Sequence, residues 1–595
     1  MDILFLALLT ALSLVLHGYG YGIGAQTHFI PMLRLYGDPN ALPPGDLLHI
    51  PTSFRYSLFW PSVWPLTRVC DIEWTFFLLY LVGAFLTLAA AYAMALHATS
   101  SKLAAYVAVL LFLIPKPAGH NPWMYPPFFV ATIFTAPLAL FALSALLRHK
   151  LGLALALAGA VLVLHPISGA PLMFVILFWA AFQGRAVNVR ETSIGAGVGL
   201  LLVAALLLFA FLNRPGHGDA AQTDILFSAP ADWLRVLKTR TEYAFLSLWP
   251  AKDWASLFPL VLAFLVAVSG HAGPSRRHLT LFVAALGLLW LLSFLFTDLW
   301  PVGLAVQLQL ARSTGLFALL TCIALAVCAA SLLSGPLGER LIAAGLLAAG
   351  FDYCENMMLA FTISAALRLL WGRQRSPHAA AIGLAIVACG ILVNGLWPGV
   401  VSSGPVTFAL LHLGGSELAL LALALAAALA WPWLHALRPV AARAVLCLVL
   451  ALVALTSLGV RDLAGAFRDW VHLPHRAPRT DWRDVQLWAK AHTPPSALFI
   501  VPVDAEGFRI FSERGQVTDW KDGSGALLNP AFALEWERRI ADFTALEKTD
   551  GPTFETRLRE LAASYGATFA VVPKRRNLTQ PPAYENATYA IYALN

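Results

Sequence analysis

Long runs of uninterrupted apolar residues constrain this chain more than any other feature. Ile194 to Leu212 (IGAGVGLLLVAALLLFAFL), Leu279 to Phe296 and Leu418 to Ala430 contain no charged residue. At a rise of about 1.5 Å per residue, helices of such lengths approach or cross a hydrocarbon core roughly 30 Å thick. Lipid offers backbone amides no partner, so these runs must close their own hydrogen bonds as helices. The bulk composition agrees: 59% hydrophobic, 12% charged and a mean hydropathy of +0.71 leave too few charges to cover a soluble surface. Ile3 to Leu16 follows Asp2 rather than a basic region, and no small-residue cleavage site comes after it, so it reads as a retained first span.

Basic residues recur in short connections: Lys102, Arg148 and Lys150, Arg185 and Arg190, Arg276 and Arg277, Arg340, Arg373 and Arg375, Arg438 and Arg443. By the positive-inside rule these turns and the N-terminus face the cytoplasm. Tyr19 to Trp74, Pro115 to Tyr125, Asn213 to Trp254, Thr297 to Ser313 and Trp397 to Glu417 then lie outside, as does everything after a last span at Ala444 to Val460. Leu341 to Trp371 reads as one helix or as two short ones broken at Asp352 to Asn356; two keep Arg373 and Arg375 inside, for an odd total of about 13 to 15 spans. The fold class expected is therefore mainly α, a polytopic transmembrane bundle over residues 1–460 followed by a soluble, exoplasmic α/β domain over 461–595. The net charge of +7 resides largely in orienting turns, so no nucleic-acid partner is expected. The six cysteines are scattered, with no disulfide framework and no zinc spacing.

Two outer segments, 19–74 and 213–254, are too long to be mere connectors, and long loops are usually functional. The first holds a helix in QTHFIPMLRLYG, then DPNALPPGD and the aromatic FRYSLFW. The second holds DWLRVLKTRTEYAFLSLW, with Trp233, Val236 and Leu237 on an apolar face, as in helices that lie on a membrane surface and frame a site there. In the tail, Asp481 to His492 places Trp482, Val485, Trp488 and Ala489 on one helical face. Pro494 and Pro495 stop it, and Ala497 to Val501 is a buried strand. FRIFS, GQVTDW, helices around Ala531 to Thr544 and Thr553 to Ser564, then ATFAVVP and ATYAIYAL, complete a strand and helix alternation.

Charged groups beside lipid are costly and usually functional. Asp38 and Asp46 are eight residues apart in the first outer loop, with Gln26, His28, Arg34 and His49 nearby. Either carboxylate suits a general base for an acceptor hydroxyl, or the pair would hold a divalent cation, Mg or Mn, if the chemistry uses one. Their Pro and Gly neighbours equally fit turns and caps. Arg312, preceded by Gln307 and Gln309 at the outer end of a span, offers a guanidinium fork matched to a phosphate, or simply snorkels to the interface. His120, Asn121 and Tyr125, His165, Arg240 and Glu242, and Asp352 with Glu355 are further polar groups at helix ends. No P-loop, dinucleotide fingerprint or nucleophile elbow is present.

The first loop QTHFIPMLRLYGDPNALPPGDLLHIP, the run QLQLARSTGLFALL and the tail segment DWRDVQLWAKAHTPPSALFIVPVDAEGFRIFSERGQVTDWKDG together resemble the GT-C superfamily of integral membrane glycosyltransferases, in the manner of its bacterial members. That resemblance spans the architecture of the whole chain. It implies a bacterial inner-membrane enzyme taking a hexosyl or pentosyl group from a polyprenyl-phosphate donor to a glycan, lipid or protein acceptor on the outer face. It also implies catalysis by a first-loop carboxylate, with the tail domain closing over the acceptor. Where the superfamily has acidic residues soon after the first span, this chain has Ala25 and Gln26, which leaves Asp46 or Asp38 as the catalytic candidates. Arg312, Gln309, Gln26, His28, Arg240, Glu242, His120 and Tyr125 are then the candidates for substrate binding. A glycolipid flippase and a non-catalytic part of a polysaccharide assembly are the rival readings, although no inverted repeat is evident.

Overall fold

The structure, a computed structural model, describes residues 2–50, 56–113, 126–184, 188–213, 227–270, 275–351, 429–430, 471–576 and 578–594. His120, Asn121, Tyr125, Asp352, Glu355 and the last span expected at Ala444 to Val460 lie outside the described residues. The bundle begins with α1 (Asp2–His17). Two short helices, α2 (Gln26–Gly37) and α3 (Phe59–Val69), precede α4 (Ile72–Thr99), α5 (Lys102–Leu111), α6 (Thr132–Leu147), α7 (Leu151–Leu164), α8 (Pro166–Phe182) and α9 (Val189–Leu212). The short helix α10 (Ala231–Arg240) leads to α11 (Ala251–Gly270), α12 (Ser275–Ser293), α13 (Gly303–Leu308), α14 (Thr314–Leu333) and α15 (Leu337–Phe351).

Among the described residues, four segments are long and apolar enough to cross a bilayer: Ile72–Thr99, Val189–Leu212, Ser275–Leu299 and Gly303–Leu333. The last is 83% buried and runs through the centre, whereas Val189–Leu212 is only 17% buried, so it lies at the edge of the described bundle. It holds to α7 through glycines. A Cβ on Gly195 would come within 1.9 Å of the Gly152 carbonyl oxygen, and one on Gly159 within 2.6 Å of the Gly199 Cα. Only bare backbones allow such an approach, the small-residue device by which helices associate where water provides no hydrophobic drive.

The two ends of the bundle differ. At one end Lys102 pairs with Asp2 at 3.2 Å, Ser275 donates to the Ala98 carbonyl, Arg277 donates to the Phe182 carbonyl, and Glu191 accepts from the Gly152 and Leu153 amides. These are the cationic turns that the sequence assigns to one side. At the other end the long loop after α1, α10 and the tail domain pack into one hydrophobic cluster that joins Met32, Leu42 and Leu47 to Trp233, Leu237, Leu498, Phe532 and Trp536.

The tail domain is a five-stranded sheet of order β2-β1-β3-β5-β4, from β1 (Leu498–Ile500), β2 (Gly515–Gln516), β3 (Phe569–Pro573), β4 (Tyr584–Glu585) and β5 (Tyr589–Ala593). β1 pairs in parallel with β2 and β3, and β3 and β5 are antiparallel with Val571 opposite Ile591. Its helices are α16 (Asp481–His492), α17 (Phe508–Ser512), α18 (Pro530–Glu547) and α19 (Gly551–Tyr565). Thr480 caps α16 by accepting from the Arg483 amide, and Asn529 caps α18 by accepting from Phe532.

Two expectations change. FRIFS is the helical turn α17, entered through Gly507 at φ +80°, and only Gly515–Gln516 of GQVTDW is strand. The apolar face of α10, expected on the membrane surface, is buried against the tail domain. Trp233 is fully buried and its indole donates to the Ala526 carbonyl at 2.8 Å. The domain offers Trp233 both apolar contacts and an acceptor, whereas the hydrocarbon offers only the first.

Candidate functional site

Two polar clusters lie at the end of the bundle that carries the tail domain. In the first, Gly45 and Asp46 follow the turn after Pro43, and Asp46 caps a single helical turn by accepting from the Leu48 amide at 2.9 Å. The same carboxylate accepts from Arg509 Nε at 2.7 Å, Arg509 Nη2 at 2.8 Å and the Gln516 amide at 3.0 Å. Arg509 turns its other edge to Asp522, at 2.8 Å from Nη1 and 3.0 Å from Nη2. Both members of the Asp46–Arg509 pair are buried, with side chains 0% and 2% exposed. Burial alone would lower the guanidinium's pKa, but the two carboxylates hold it above its ordinary value. Arg34 strengthens the joint by donating to the Arg509 and Ile510 carbonyls, at 2.8 and 2.9 Å.

Asp519 completes this cluster. Its carboxylate accepts from the Asp522 amide at 2.8 Å, and its own amide donates to Asp522 Oδ2 at 3.2 Å. Burial first, then the charge of Asp522, pushes the Asp519 carboxyl up to about 7, against the pull of Arg509. His28, on α2, sits within the fields of Asp522, Arg509, Lys521 and Arg240; burial, helped by the three cations, pushes its imidazole down to about 4. Its Nδ1 is buried and has no hydrogen-bond partner among the described residues, as is true of Gln516 Oε1. Gln26 is a backbone clamp: Oε1 accepts from Gly22 and Nε2 donates to the Phe129 carbonyl. Arg240 donates to the Trp520 carbonyl at 3.0 Å and to Ser524 Oγ at 3.1 Å. Gly523 permits this, because a Cβ there would lie 2.8 Å from Arg240 Nε and 2.6 Å from Trp536.

The second cluster surrounds Arg312, in a short 3-10 turn ahead of α14. Gln309 adopts a left-handed conformation (φ 46°) that directs its buried side chain back to accept from Arg312 Nη1 at 3.0 Å. The guanidinium lies 5.4 Å from the Tyr243 ring centroid. Trp290 fixes the turn by donating to Ser313 Oγ at 2.8 Å, and His165, at the start of α8, lies within reach of the Arg312 charge. Arg312 is half-buried, and among the described residues no carboxylate pairs with it. Glu242 is exposed beside Tyr243.

Of the predicted residues, the structure gathers His28 and Asp46 around Arg509 and Asp522, with Arg240 alongside, and sets Arg312 with Gln309. It does not pair Asp38 with Asp46. Asp38 is exposed and its Oδ1 accepts from the Asn40 amide in a turn, while both Asp46 oxygens are taken by the tail domain. Among the described residues no group of three or more His, Cys, Asp or Glu side chains is arranged to hold a metal ion. Sequence reasoning missed Arg509, Asp519 and Asp522. Their signal was a set of charges, Arg509 in FRIF and Asp519, Lys521 and Asp522 in TDWKDGSG, within a segment that also holds apolar and glycine residues.

Fold and site together define a multi-pass helical membrane protein whose first long loop and α10 are bolted to a C-terminal α/β domain. A family model described as a domain of unknown function, DUF6798, matches residues 480–543, which contain Arg509, Asp519 and Asp522. No curated protein matches the chain. Among solved structures it is similar to ArnT from Cupriavidus metallidurans bound to undecaprenyl phosphate, at 13% identity and a TM-score of 0.47, over 100% of this chain and 97% of that one. It is also similar to the Archaeoglobus fulgidus oligosaccharyltransferase in its apo form, at 11% identity and a TM-score of 0.45, over 96% and 69% of the two chains. The archaeal oligosaccharyltransferase AglB from that organism, in complex with an inhibitory peptide and a dolichol-phosphate, gives 15%, 0.41 and the same coverages. At those scores no residue correspondence follows.

Proposed function

We propose that this protein is a membrane glycosyltransferase that draws a sugar from a polyprenyl-phosphate donor and passes it to a hydroxyl acceptor at the outer face. The observation that supports it is Arg312. A half-buried guanidinium held by a neutral amide and an aromatic face, with no carboxylate partner among the described residues, keeps its charge available where the bundle meets the outer loops. A lipid phosphate supplies the missing anion, bound through the planar fork and stabilised further as it becomes the leaving group. The acceptor oxygen would bond to the anomeric carbon while the bond from that carbon to the phosphate oxygen breaks, the electron pair leaving with the phosphate. Asp46 is committed to Arg509, so the proton falls to Asp38, whose exposed carboxylate has one oxygen outside its turn hydrogen bond. The architectural similarity to a protein bound to undecaprenyl phosphate is in keeping with this reading without supporting it independently.

The test is native mass spectrometry of the purified full chain titrated with undecaprenyl phosphate. Arg312→Gln is expected to weaken binding at least about tenfold, the scale of one charge-assisted contact. Equal binding by both forms would remove Arg312 from the site.

A further inference from the structure

Where α10 packs on the tail domain, the two leave a groove of about 370 Å³, lined by Val236 and Thr239 of α10, by Trp520 and by one face of α18. Trp536, Ile540, Thr544 and Lys548 recur there every four residues, a strip about 18 Å long that is apolar at one end and polar at the other. Both walls are fixed. Arg235 makes a forked ion pair with Glu537, Trp233 donates to the Ala526 carbonyl, and Arg240 donates to the Trp520 carbonyl and to Ser524 Oγ. Trp520 stays 38% exposed, whereas Trp536, 5.3 Å away between ring centroids, is 2% exposed. A single exposed tryptophan is ordinary on a surface, but one that lines a rigid concavity between two elements is what binding sites use. We infer that this groove binds a carbohydrate bearing acidic groups and seats a part of the acceptor away from the reacting hydroxyl.

The occupant follows from the lining. An indole with apolar flanks matches the C–H face of a sugar ring, because the electron-rich aromatic face attracts weakly positive hydrogens. The Thr544 hydroxyl, without a hydrogen-bond partner among the described residues, offers a donor and an acceptor to a ring hydroxyl. Charge then selects among sugars. Arg235 neutralises Glu537, but among the described residues no carboxylate pairs with Lys548 or with Arg240, whose guanidinium lies 5.7 Å from the Trp520 ring centroid and donates to neutral oxygens. Two unpaired cations complement carboxylates carried on the sugars, whereas an apolar peptide would leave both without an anion. The groove also adjoins the Arg312 cluster along the chain. Thr239 lines the groove, and Tyr243, four residues or at most about 14 Å of chain further on, has the Arg312 guanidinium 5.4 Å from its ring centroid. The acceptor role rests on the glycosyltransferase reading; carbohydrate binding by the groove does not.

The experiment is saturation-transfer difference NMR on the full chain in nanodiscs of zwitterionic lipid, with trigalacturonate as the acidic probe and maltotriose as the neutral one. Wild type is expected to bind trigalacturonate with a Kd of about 1 mM or tighter, and about three- to fivefold more tightly than maltotriose, the scale of an exposed ion pair. Trp520→Ala is expected to weaken both sugars about tenfold, the scale of a lost aromatic contact. Lys548→Gln, at an exposed position that does not bear on folding, should bring the acidic-to-neutral ratio toward one and leave maltotriose as in wild type, and Arg312→Gln should bind both as wild type does. Equal binding of the two sugars by wild type overturns the acidic assignment. Binding of neither, or binding unchanged in Trp520→Ala, overturns the groove while leaving the phosphate reading to its own titration. A wild type that binds trigalacturonate but no undecaprenyl phosphate keeps the groove and overturns its role in transfer.

Discussion

Replacing Arg509 with Met tests the joint on which the outer site is built. Met fills much of the same volume but leaves Asp46 and Asp522 facing each other without the cation that now sits between them at 2.7 to 3.0 Å. Breaking a buried ion pair by removing one partner costs about 3–5 kcal/mol, and here one removal orphans two carboxylates. Such a loss is a large part of the roughly 5–15 kcal/mol that holds a typical domain. The measurement is pulse proteolysis of the tail domain against urea in the detergent-solubilised full chain. The expected result is a midpoint lowered by that free energy at pH 7.5, with the deficit shrinking toward pH 4.5. Orphaned buried carboxylates titrate upward and become neutral as acid is added, which removes their repulsion. Asp46→Asn should cost less, about 1–3 kcal/mol, because Asp522 still neutralises Arg509. An Arg509→Met protein within about 1 kcal/mol of wild type at pH 7.5 would show that the cluster does not hold the domain to the first loop.

Three other outcomes are expected. Asp519, raised to about 7, lies above the unfolded carboxylate value near 4, so its protonated form stabilises the fold below pH 4 and that contribution is lost as pH rises through 7. Asp519→Asn keeps the acceptor for the Asp522 amide and should flatten the dependence between pH 4 and 7, gaining on the order of 2–4 kcal/mol at pH 8, as urea titrations at several pH values would record. Gly195→Leu must push the Gly152 carbonyl away from a Cβ that would sit at 1.9 Å, so α9 should detach from α7, read as faster hydrogen exchange confined to those helices. Asp38→Asn should leave the melting temperature unchanged while abolishing transfer from a polyprenyl donor to acceptor; full transfer by that variant removes Asp38 from the reaction.

The elements of the tail were largely legible because local rules specify them. The 3 to 4 spacing of Val485 and Ala489 and the stop at Pro494 place α16 at Asp481–His492, and QTHFIPMLRLYG coincides with α2. FRIFS misled because an apolar and polar alternation over five residues fits a strand as well as a turn of helix, and Gly507 decided the matter through its positive φ. The α10 face was recognised correctly as apolar, but hydrophobicity is non-directional and does not say whether lipid or protein will cover it. Asp46 was a candidate base for the same reason that it is an interlock: a carboxylate suits either task, and only its partner decides which.

What the sequence determined alone is what one-dimensional physics controls. Apolar runs demand helices in lipid, cationic turns segregate to one side, and the α/β alternation of the tail needs an aqueous face of its own. What only the tertiary structure decided is which charges meet. Arg509 lies 463 residues from Asp46 in the chain, yet its Nε stands 2.7 Å from that carboxylate, and no local pattern encodes a pairing at such separation. Among the described residues the same folding leaves Arg312 without a carboxylate and the Nδ1 of His28 without a hydrogen-bond partner, because electrostatic balance is settled by the sum of neighbours in space, and neighbours in space are what the chain order does not contain.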